Sequence, residues 1–486
     1  MKTVTIDPIT RLEGHGKISI FLNNEGDVEN AYLQIPELRG FERFAQGRRA
    51  EDMPQITSRI CGVCPVAHHF AATKALDAAF SVDPPSAAKK LRELMYMGYF
   101  IYDHTLHFYY LGGPDFVVGP DAPPAKRNVI GVIEKAGIEI GKEVIKHRAY
   151  GQKITAILGG KATHPVCGLP GGVSKGLNKD EVKDIKTMVD SCINFAKFSL
   201  KLFDDIVLQN KDYVNLILSD SYKLETYNMG LVDINNKVNF YDGKIRLTDQ
   251  KGKEKVKFDV KDYHKHVAEH VEEWTYIKFP YLKSIGWKGF KDGKESGIYR
   301  VGPLGRLNAA EGMATPMADK EYKKMYQTLG GKSVNSTLAF HWARLIELLY
   351  ATERAKELIN DPEITSQKIR NPVGEPGEGM GVTEAARGTL IHHYKLTKEG
   401  LIDKANLIVA TTNNAGAINM SVRDAAKGVI KKGDVSNKTL NMVEMAFRAY
   451  DPCFACATHT LPGGMPLEVK IFDHNKKLYK TLRQNL

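Results

Sequence analysis

Two Cys-x-x-Cys pairs, Cys61 with Cys64 and Cys453 with Cys456, stand near opposite ends of a 486-residue chain. Thiolates are soft ligands, and four of them in two clips describe one metal site that the fold must close. Cys61 and Cys453 are 453 − 61 = 392 positions apart, far outside the gap of about 15 to 20 residues in a zinc ribbon. A structural zinc joining both ends of the chain stays open on spacing alone. Each pair has a nearby histidine, His68 after Cys64 and His459 after Cys456, and Asp451 precedes the second pair. A structural zinc would not need Arg59, Glu13 and Asp103 around it.

Other constellations could do chemistry. Arg11-Leu12-Glu13-Gly14-His15-Gly16 is unusually polar for a strand start; it reads either as a solvated edge or as a segment that turns Glu13 and His15 towards a site. Asp103 and His107 share one face of an apolar helical stretch, beside His104 and the aromatic set Tyr99, Phe100, Tyr102, Phe108 and Tyr109. A charge there must be paired or must serve a site. His266-Val-Ala-Glu269-His270 fits the H-x-x-E-H pattern of some zinc peptidases, yet no third ligand follows, and a solvated amphipathic helix is the simpler reading. Gly377 to Gly381 is glycine-rich like a phosphate loop, but Glu375, Glu378 and Glu384 would face the anion. Arg387, just beyond, is the residue expected to matter.

The elements that must position these groups read as mainly helical. Residues 3 to 35 are strand-like, with Lys17 to Leu22 alternating, a turn at Asn23 to Asp27 and a return over Ala31 to Ile35. A helix is predicted from Pro65 to Ala79, and a stronger one from Pro84, with Asp83 as cap, to about Leu111. Two more span roughly 126 to 157 and 179 to 218, separated by glycine breaks that bracket His164 and Cys167. Residues 231 to 260 read as a small peripheral β insertion; helical sequence resumes at 261 and is strong over 318 to 360. The expected fold class is mainly α: one body with a core of long helices and peripheral β hairpins.

Composition narrows the function. A chain with 43% apolar and 26% charged residues is typical of soluble globular proteins. It has no apolar run of about 18 residues and no signal-peptide core, so no membrane span and a cytoplasmic location are expected. The net charge of +11 is spread through alternating Lys and Glu with no block of like charges, which argues against nucleic acid. Six cysteines do not make a disulfide scaffold in so long a chain, and Cys167 and Cys192 read as small buried hydrophobes.

With these residues assembled, the chain closely resembles the large subunit of nickel-iron hydrogenases. R-x-C-G-x-C-x-x-x-H is matched by Arg59, Cys61, Gly62, Cys64 and His68, and D-P-C-x-x-C-x-x-H by Asp451, Pro452, Cys453, Cys456 and His459. The likeness continues through Arg11 to Gly14, Gly40 to Glu42, Asp103 to Tyr109, Gly159 to Pro165 and Glu384 to Gly388. It implies that family's multihelical fold and a hydrogenase that splits H2 reversibly. On the family pattern all four cysteines bind nickel, Cys64 and Cys456 also bridge to iron, and the iron holds cyanide and carbon monoxide. Glu42 and His459 would bind magnesium with the backbone carbonyl of Leu407. Splitting H2, a very weak acid, needs a metal to accept hydride while a base takes the proton; the family precedent makes Cys453 that base and Glu13 the next proton carrier. Arg387 would hang over the open side, positioned with Asp103 and Asp451.

No cysteines remain for an iron-sulfur cluster, so the resemblance implies a small subunit that carries the clusters. The short N-terminus, Cys64-Pro65 and Glu384-Ala385-Ala386-Arg387 look most like the cytoplasmic F420-non-reducing (methyl-viologen-reducing) type of methanogens. There the electrons pass through an electron-transfer subunit towards heterodisulfide reductase; F420-reducing and NAD-linked relatives are alternatives. The family pattern also implies that a maturation protease removes residues 460–486, 486 − 459 = 27 residues, leaving 1–459 as the catalytic body. Without that pattern, Leu467, Val469 and Ile471 alternating with Glu468 and Lys470 make an ordinary C-terminal strand. Two readings of another class are the metal-free quinone-site subunit of respiratory complex I, against which the four cysteines argue, and a zinc-stabilised structural or binding protein.

Overall fold

The helix that opens directly behind Cys64 sets the frame. It runs Pro65–Ala79, as predicted, with proline at its first position, where the missing N–H is not needed, and it is buried on almost every side. The structure, a computed structural model, describes residues 2–458, 467–475 and 477–484. This helix packs directly on the strand Glu378–Ala385. Glycine makes the approach possible: a Cβ at Gly379 would lie 2.2 Å from the Ala79 nitrogen, and one at Gly381 2.3 Å from the Ala75 nitrogen. The glycine run at 377 to 381 therefore serves helix–strand packing.

Four long helices, Ser86–Leu106, Ile138–Gly159, Lys179–Phe203 and Phe340–Ile359, pack on one another beside it. The first two touch through glycine, since a Cβ at Gly151 would meet the Gly98 oxygen at 2.7 Å. Several helices are shorter than their periodicity predicts, each for a local reason. The stretch at 126 to 157 divides at Gly137, whose φ of 98° ends Val129–Ala136 before Ile138–Gly159 begins. The stretch at 179 to 218 starts under an Asn178–Glu181 capping box, widens into a π turn at Asp204–Leu208 and restarts under an Asn210 cap at Lys211. The helix expected from Pro84 begins at Ser86 without an Asp83 cap, because that carboxylate pairs with Lys89, and it becomes π-helical over His107–Gly112. The stretch at 318 to 360 is two helices, Pro316–Thr328 and Phe340–Ile359.

The β sequence is less peripheral than expected. Tyr227–Val232 is buried at all of its positions, pairing antiparallel with Lys244–Thr248 and parallel with Tyr299–Arg300. Helix resumes after residue 260 for only one turn, Tyr263–His266, before the strand Val267–His270. His266 and His270 thus share no helix face; their rings stack on Phe258 and Trp287 instead. Glu378–Ala385, Gly388–Leu396 and Ile402–Ile408 form an antiparallel sheet whose first two strands are largely buried. Lys2–Ile6, Lys17–Leu22 and Val28–Gln34 form the N-terminal sheet. The strand expected at 467 to 471 is present, as half of an exposed hairpin with Leu478–Gln484. Among the described residues no helix is long and apolar enough to cross a membrane.

Arg306, on the helix Gly302–Ala309, ties these parts together. It donates to Glu347 at 2.6 and 2.7 Å and to Glu384 at 2.6 Å, with all three side chains fully buried. His104 shares Glu347 at 2.9 Å, while the Leu231 amide and the Thr389 hydroxyl satisfy the second Glu384 oxygen. Breaking a buried pair of this kind costs about 3–5 kcal/mol, because the remaining charge is stranded. Arg306→Met is expected to lower the unfolding free energy of the purified chain by about that amount in a urea titration. Adding Glu347→Leu and Glu384→Leu should recover most of the loss; a single variant as stable as its parent would show that the cluster carries no such load.

Candidate metal centre

Cys64 immediately precedes the 65–79 helix, Cys453 immediately precedes the turn Phe454–Ala457, and Cys456 lies within that turn. The fold brings all four sulfurs within 4.8 Å of one another, fully enclosed and unbonded. Cys61 and Cys453 approach at 3.4 Å, Cys64 and Cys456 at 3.5 Å, and Cys453 and Cys456 at 2.8 Å. The Val63 and Cys64 amides donate to the Cys61 sulfur at 3.2 and 3.3 Å, which favours a thiolate there. Hydrogen bonds from Cys453, Cys456 and Cys64 pull Cys61 well below the usual thiol range, while burial pushes Cys453 and Cys456 well above it. Four thiolates can therefore share this pocket only around a cation, and the donor set fits soft, multiply charged metal.

The two distant segments are joined mostly through backbone groups. Arg39 extends one guanidinium nitrogen to the Ile60 carbonyl at 2.6 Å and the Ala455 carbonyl at 3.1 Å, clasping both cysteine segments at once. Thr411 accepts from the Cys453 amide at 3.0 Å, and Thr412 donates to the Ala457 carbonyl at 3.0 Å. Glu13 pairs through its backbone with the second segment, its carbonyl accepting from the Phe454 amide at 3.0 Å. Gly14 (φ 83°) permits this, since a Cβ there would lie 2.6 Å from the Ala455 nitrogen.

That backbone pairing aims the Glu13 side chain at Cys453. Its Oε2 lies 2.8 Å from the sulfur and also accepts from the Ala455 amide at 3.2 Å. Burial, with the charge of Cys61 second, raises the Glu13 carboxyl above its ordinary range. On another side stands Arg387, at the tip of the two-residue loop between Glu378–Ala385 and Gly388–Leu396. It donates to both Asp103 oxygens at 3.0 and 3.1 Å and to Asp451 at 3.1 Å. Burial opposes its charge, but Asp103 and Asp451 outweigh that and hold its pKa far above the ordinary value. Arg306 grips the Ala385 carbonyl, and Tyr99 accepts from the Ala386 amide, so the loop tip is fixed on both sides of Arg387. Asp451 has a left-handed backbone, φ 58°, a strain the surrounding contacts must hold.

Glu42, on the short helix Phe41–Ala45, accepts from the Leu407 amide at 2.8 Å. An extended residue turns its N–H and C=O to the same edge of the strand, so the Leu407 carbonyl also faces the Glu42 side. Burial lifts the Glu42 carboxyl to about 7. His459 lies outside the described residues; its neighbour Thr458 accepts from the Arg39 amide at 3.0 Å. His15 faces solvent in a pair with Glu37, and Arg59 is exposed, bonded to the Gln55 carbonyl. His107 leaves Asp103 and bonds the Arg448 carbonyl at 2.8 Å. His164 bonds the Ser58 carbonyl at 3.0 Å, and Cys167 packs against Met95 as a buried hydrophobe.

Sequence reasoning missed three contributors. Arg39 carries no signal beyond its place beside Gly40, because its partners are carbonyls. His392 meets His68 at 3.2 Å and Tyr394 at 2.7 Å behind the cysteine segment. His-His-Tyr at 392 to 394 was the available signal, two of its residues falling on one face of a strand. Arg306 lies in the short helix Gly302–Ala309, to which no role was assigned from sequence.

A family model described as nickel-dependent hydrogenase matches residues 39–128 and 143–459, and one described as HoxL-like matches residues 3–38. An F420-non-reducing hydrogenase iron-sulfur subunit of Archaeoglobus profundus is 47% identical over 485 residues, 99% of this chain and 100% of its own length. A vhu-type F420-non-reducing hydrogenase subunit of Methanocaldococcus jannaschii is 45% identical over 433 residues, 89% of this chain and 100% of its own. The crystal structure of an NAD+-reducing NiFe-hydrogenase in the H2-reduced state aligns with a TM-score of 0.89 and 36% identity, covering 94% of this chain and 100% of that one. A pocket of four enclosed cysteines and matches over nearly its whole length lead to one conclusion: the chain belongs to the nickel-dependent hydrogenases, as a large subunit of an enzyme that oxidises H2.

Proposed function

We propose that the four-cysteine pocket holds nickel and iron: Cys61, Cys64, Cys453 and Cys456 would bind nickel, Cys64 and Cys456 would bind iron as well, and that iron would carry cyanide and carbon monoxide. The observation that carries this reading is the enclosure of four sulfurs within 4.8 Å, flanked by a carboxyl at 2.8 Å from one of them and by a pinned arginine. When bound, such metals supply the electron-pair acceptor that heterolysis of H2 requires.

The protein's own groups handle the proton. Cys453 receives it, and Glu13 Oε2, 2.8 Å away, takes it onward. The Ala455 amide fixes that oxygen, and burial raises the carboxyl above its ordinary range, so it accepts a proton more readily than an exposed glutamate would. Arg387 keeps a fixed positive charge beside the pocket, and Asp103 and Asp451 hold it in place. Glu42, the Leu407 carbonyl and His459 together form a site for magnesium, a hard cation that suits oxygen donors.

Two electrons leave through iron-sulfur clusters of a small subunit. The two F420-non-reducing relatives favour an acceptor other than F420; the proposed route runs through an electron-transfer subunit towards heterodisulfide reductase in the cytoplasm. The NAD+-reducing structural neighbour favours an NAD-linked acceptor as the second reading. Residues 1–459 form the catalytic body, and 460–486 are a tail cut by a maturation protease.

Metal analysis of the matured complex should find nickel and iron together, with infrared bands from iron-bound carbon monoxide and cyanide. Zinc alone, or no such bands in metal-replete protein, would refute the assignment. Glu13→Gln should keep those bands while H2 oxidation falls on the order of 100-fold, the scale of a lost proton-transfer group; unchanged turnover would remove Glu13 from the route. Intact mass after co-expression with the protease should show loss of the 486 − 459 = 27 C-terminal residues. Full-length chain in active enzyme would sink the cleavage proposal.

A further inference from the structure

Arg387 has one geometry beside the pocket only while its turn keeps a fixed spacing from Asp103, and the two belong to different elements. Asp103 comes from the helix Ser86–Leu106, and Arg387 from the turn after the strand Glu378–Ala385. Tyr96, Tyr99 and Asp103 stand three and four residues apart on one face of that helix. They meet successive groups of the strand end. The Tyr96 hydroxyl donates to the Glu384 carbonyl at 2.9 Å, the Tyr99 oxygen accepts from the Ala386 amide at 3.0 Å, and Asp103 accepts from Arg387.

One residue from a third element is bonded towards both sides. Glu347, on Phe340–Ile359, is wholly buried. Its Oε1 accepts from Arg306 Nε at 2.6 Å, and its Oε2 accepts from Arg306 Nη2 at 2.7 Å and from His104 Nε2 at 2.9 Å. Burial opposes the Glu347 charge, but Arg306 outweighs it and holds the carboxyl below its ordinary range. A carboxylate can only accept, so His104 presents an Nε2–H to it. Burial lowers the His104 imidazole to about 4 and keeps that ring neutral. His104 directly follows Asp103 in the chain. Arg306 reaches the other side, donating to the Ala385 carbonyl at 2.7 Å and the Ala386 carbonyl at 3.3 Å. Glu347 is thus one hydrogen bond from the residue beside Asp103 and two from the residue beside Arg387.

We propose that Glu347 is a positioning residue for the H2 reaction: through His104 and Arg306 it sets the spacing between the Asp103 helix and the Arg387 turn, and so where the guanidinium stands. The inference rests on the role given to Arg387 above. Stability alone would not call for this cluster, because apolar groups of similar volume can hold packed elements together as firmly.

That difference supplies the test. Arg306→Met combined with Glu347→Leu and Glu384→Leu, expected above to regain most of the lost stability, separates position from folding. In the metal-free chain Arg387 is 2% exposed and bonded to two carboxylates, so phenylglyoxal should modify it far more slowly than the exposed Arg59, as read by peptide mass spectrometry. The triple variant should speed Arg387 modification relative to Arg59 on the order of 10-fold or more, by local opening. His104→Leu should also speed it, and His104→Gln, which keeps an N–H donor, should reverse most of that gain. Both His104 variants leave the Arg306 ion pairs intact and keep the comparison available if the triple variant does not fold. In the matured complex the triple variant should carry the parent's nickel and iron, while kcat for H2 oxidation falls on the order of 10- to 100-fold and KM stays within about twofold. Labelling or kcat at the parent value in a triple variant of parent stability overturns the proposal, and so does loss of its nickel and iron, which marks a structural role. Parent-rate labelling in His104→Leu overturns the link to the Asp103 helix. A metal-replete parent that does not oxidise H2 overturns the hydrogenase reading instead and leaves the labelling comparison standing.

Discussion

Four sulfurs that repel one another unless they share a cation must be delivered from two ends of one chain, and the rest of the structure follows from that requirement. The separation in sequence is a minor obstacle, because loop-closure cost grows only as the logarithm of loop length. Holding the two segments in register is harder. The fold does it with groups whose reach is short and directional: Arg39 between the Ile60 and Ala455 carbonyls, Thr411 on the Cys453 amide, Glu13 paired through its backbone with Phe454. Each fixes the main chain beside a cysteine, and so the position of its sulfur.

The second requirement is a fixed positive charge next to the pocket. Arg387 meets it from a hairpin loop of two residues, and such a tip would ordinarily be mobile. Here Arg306 holds the Ala385 carbonyl, Tyr99 holds the Ala386 amide, and Asn414 donates to the Arg387 carbonyl at 3.1 Å. Two buried arginines thus act on one turn, one by gripping its backbone and one by projecting from it. Buried ion networks add little net stability over well-packed apolar groups. Their value at this turn is positional: the guanidinium, with Asp103 and Asp451 bonded to it, has one available geometry.

What the sequence disclosed follows the range of the forces involved. Helix starts such as Pro65, strand alternation and Cys spacing are set within a few residues and were readable. Boundaries inside long periodic stretches were not, because a single Gly137 with positive φ divides a pattern that otherwise continues. His266 to His270 matched a helical motif, yet a strand over Val267–His270 formed where pairing with Phe279–Leu282 overrode local preference. The glycines at 379 and 381 resembled a loop for the same reason they serve a strand: both need backbone without a Cβ. Glu13, Asp103, Arg387 and Asp451 were named from motif resemblance and do converge. Arg39, Arg306 and His392 were not, since residues that bond carbonyls, buried carboxylates or another ring across the fold leave no periodic trace.

Arg39 also links the pocket to the far end of the chain. Its side chain clasps the two cysteine segments while its own amide bonds the Thr458 carbonyl. The last described residue before His459 is therefore held by the residue that closes the pocket. On the proposed reading the cleavage point lies just beyond Thr458, so completion of the thiolate site and presentation of the scissile segment depend on one side chain and its amide. A pocket whose two cysteine segments still stand apart would leave Arg39 without its carbonyl partners and Thr458 without a fixed anchor. Arg39 therefore ties the closure of the two cysteine segments to the anchoring of Thr458.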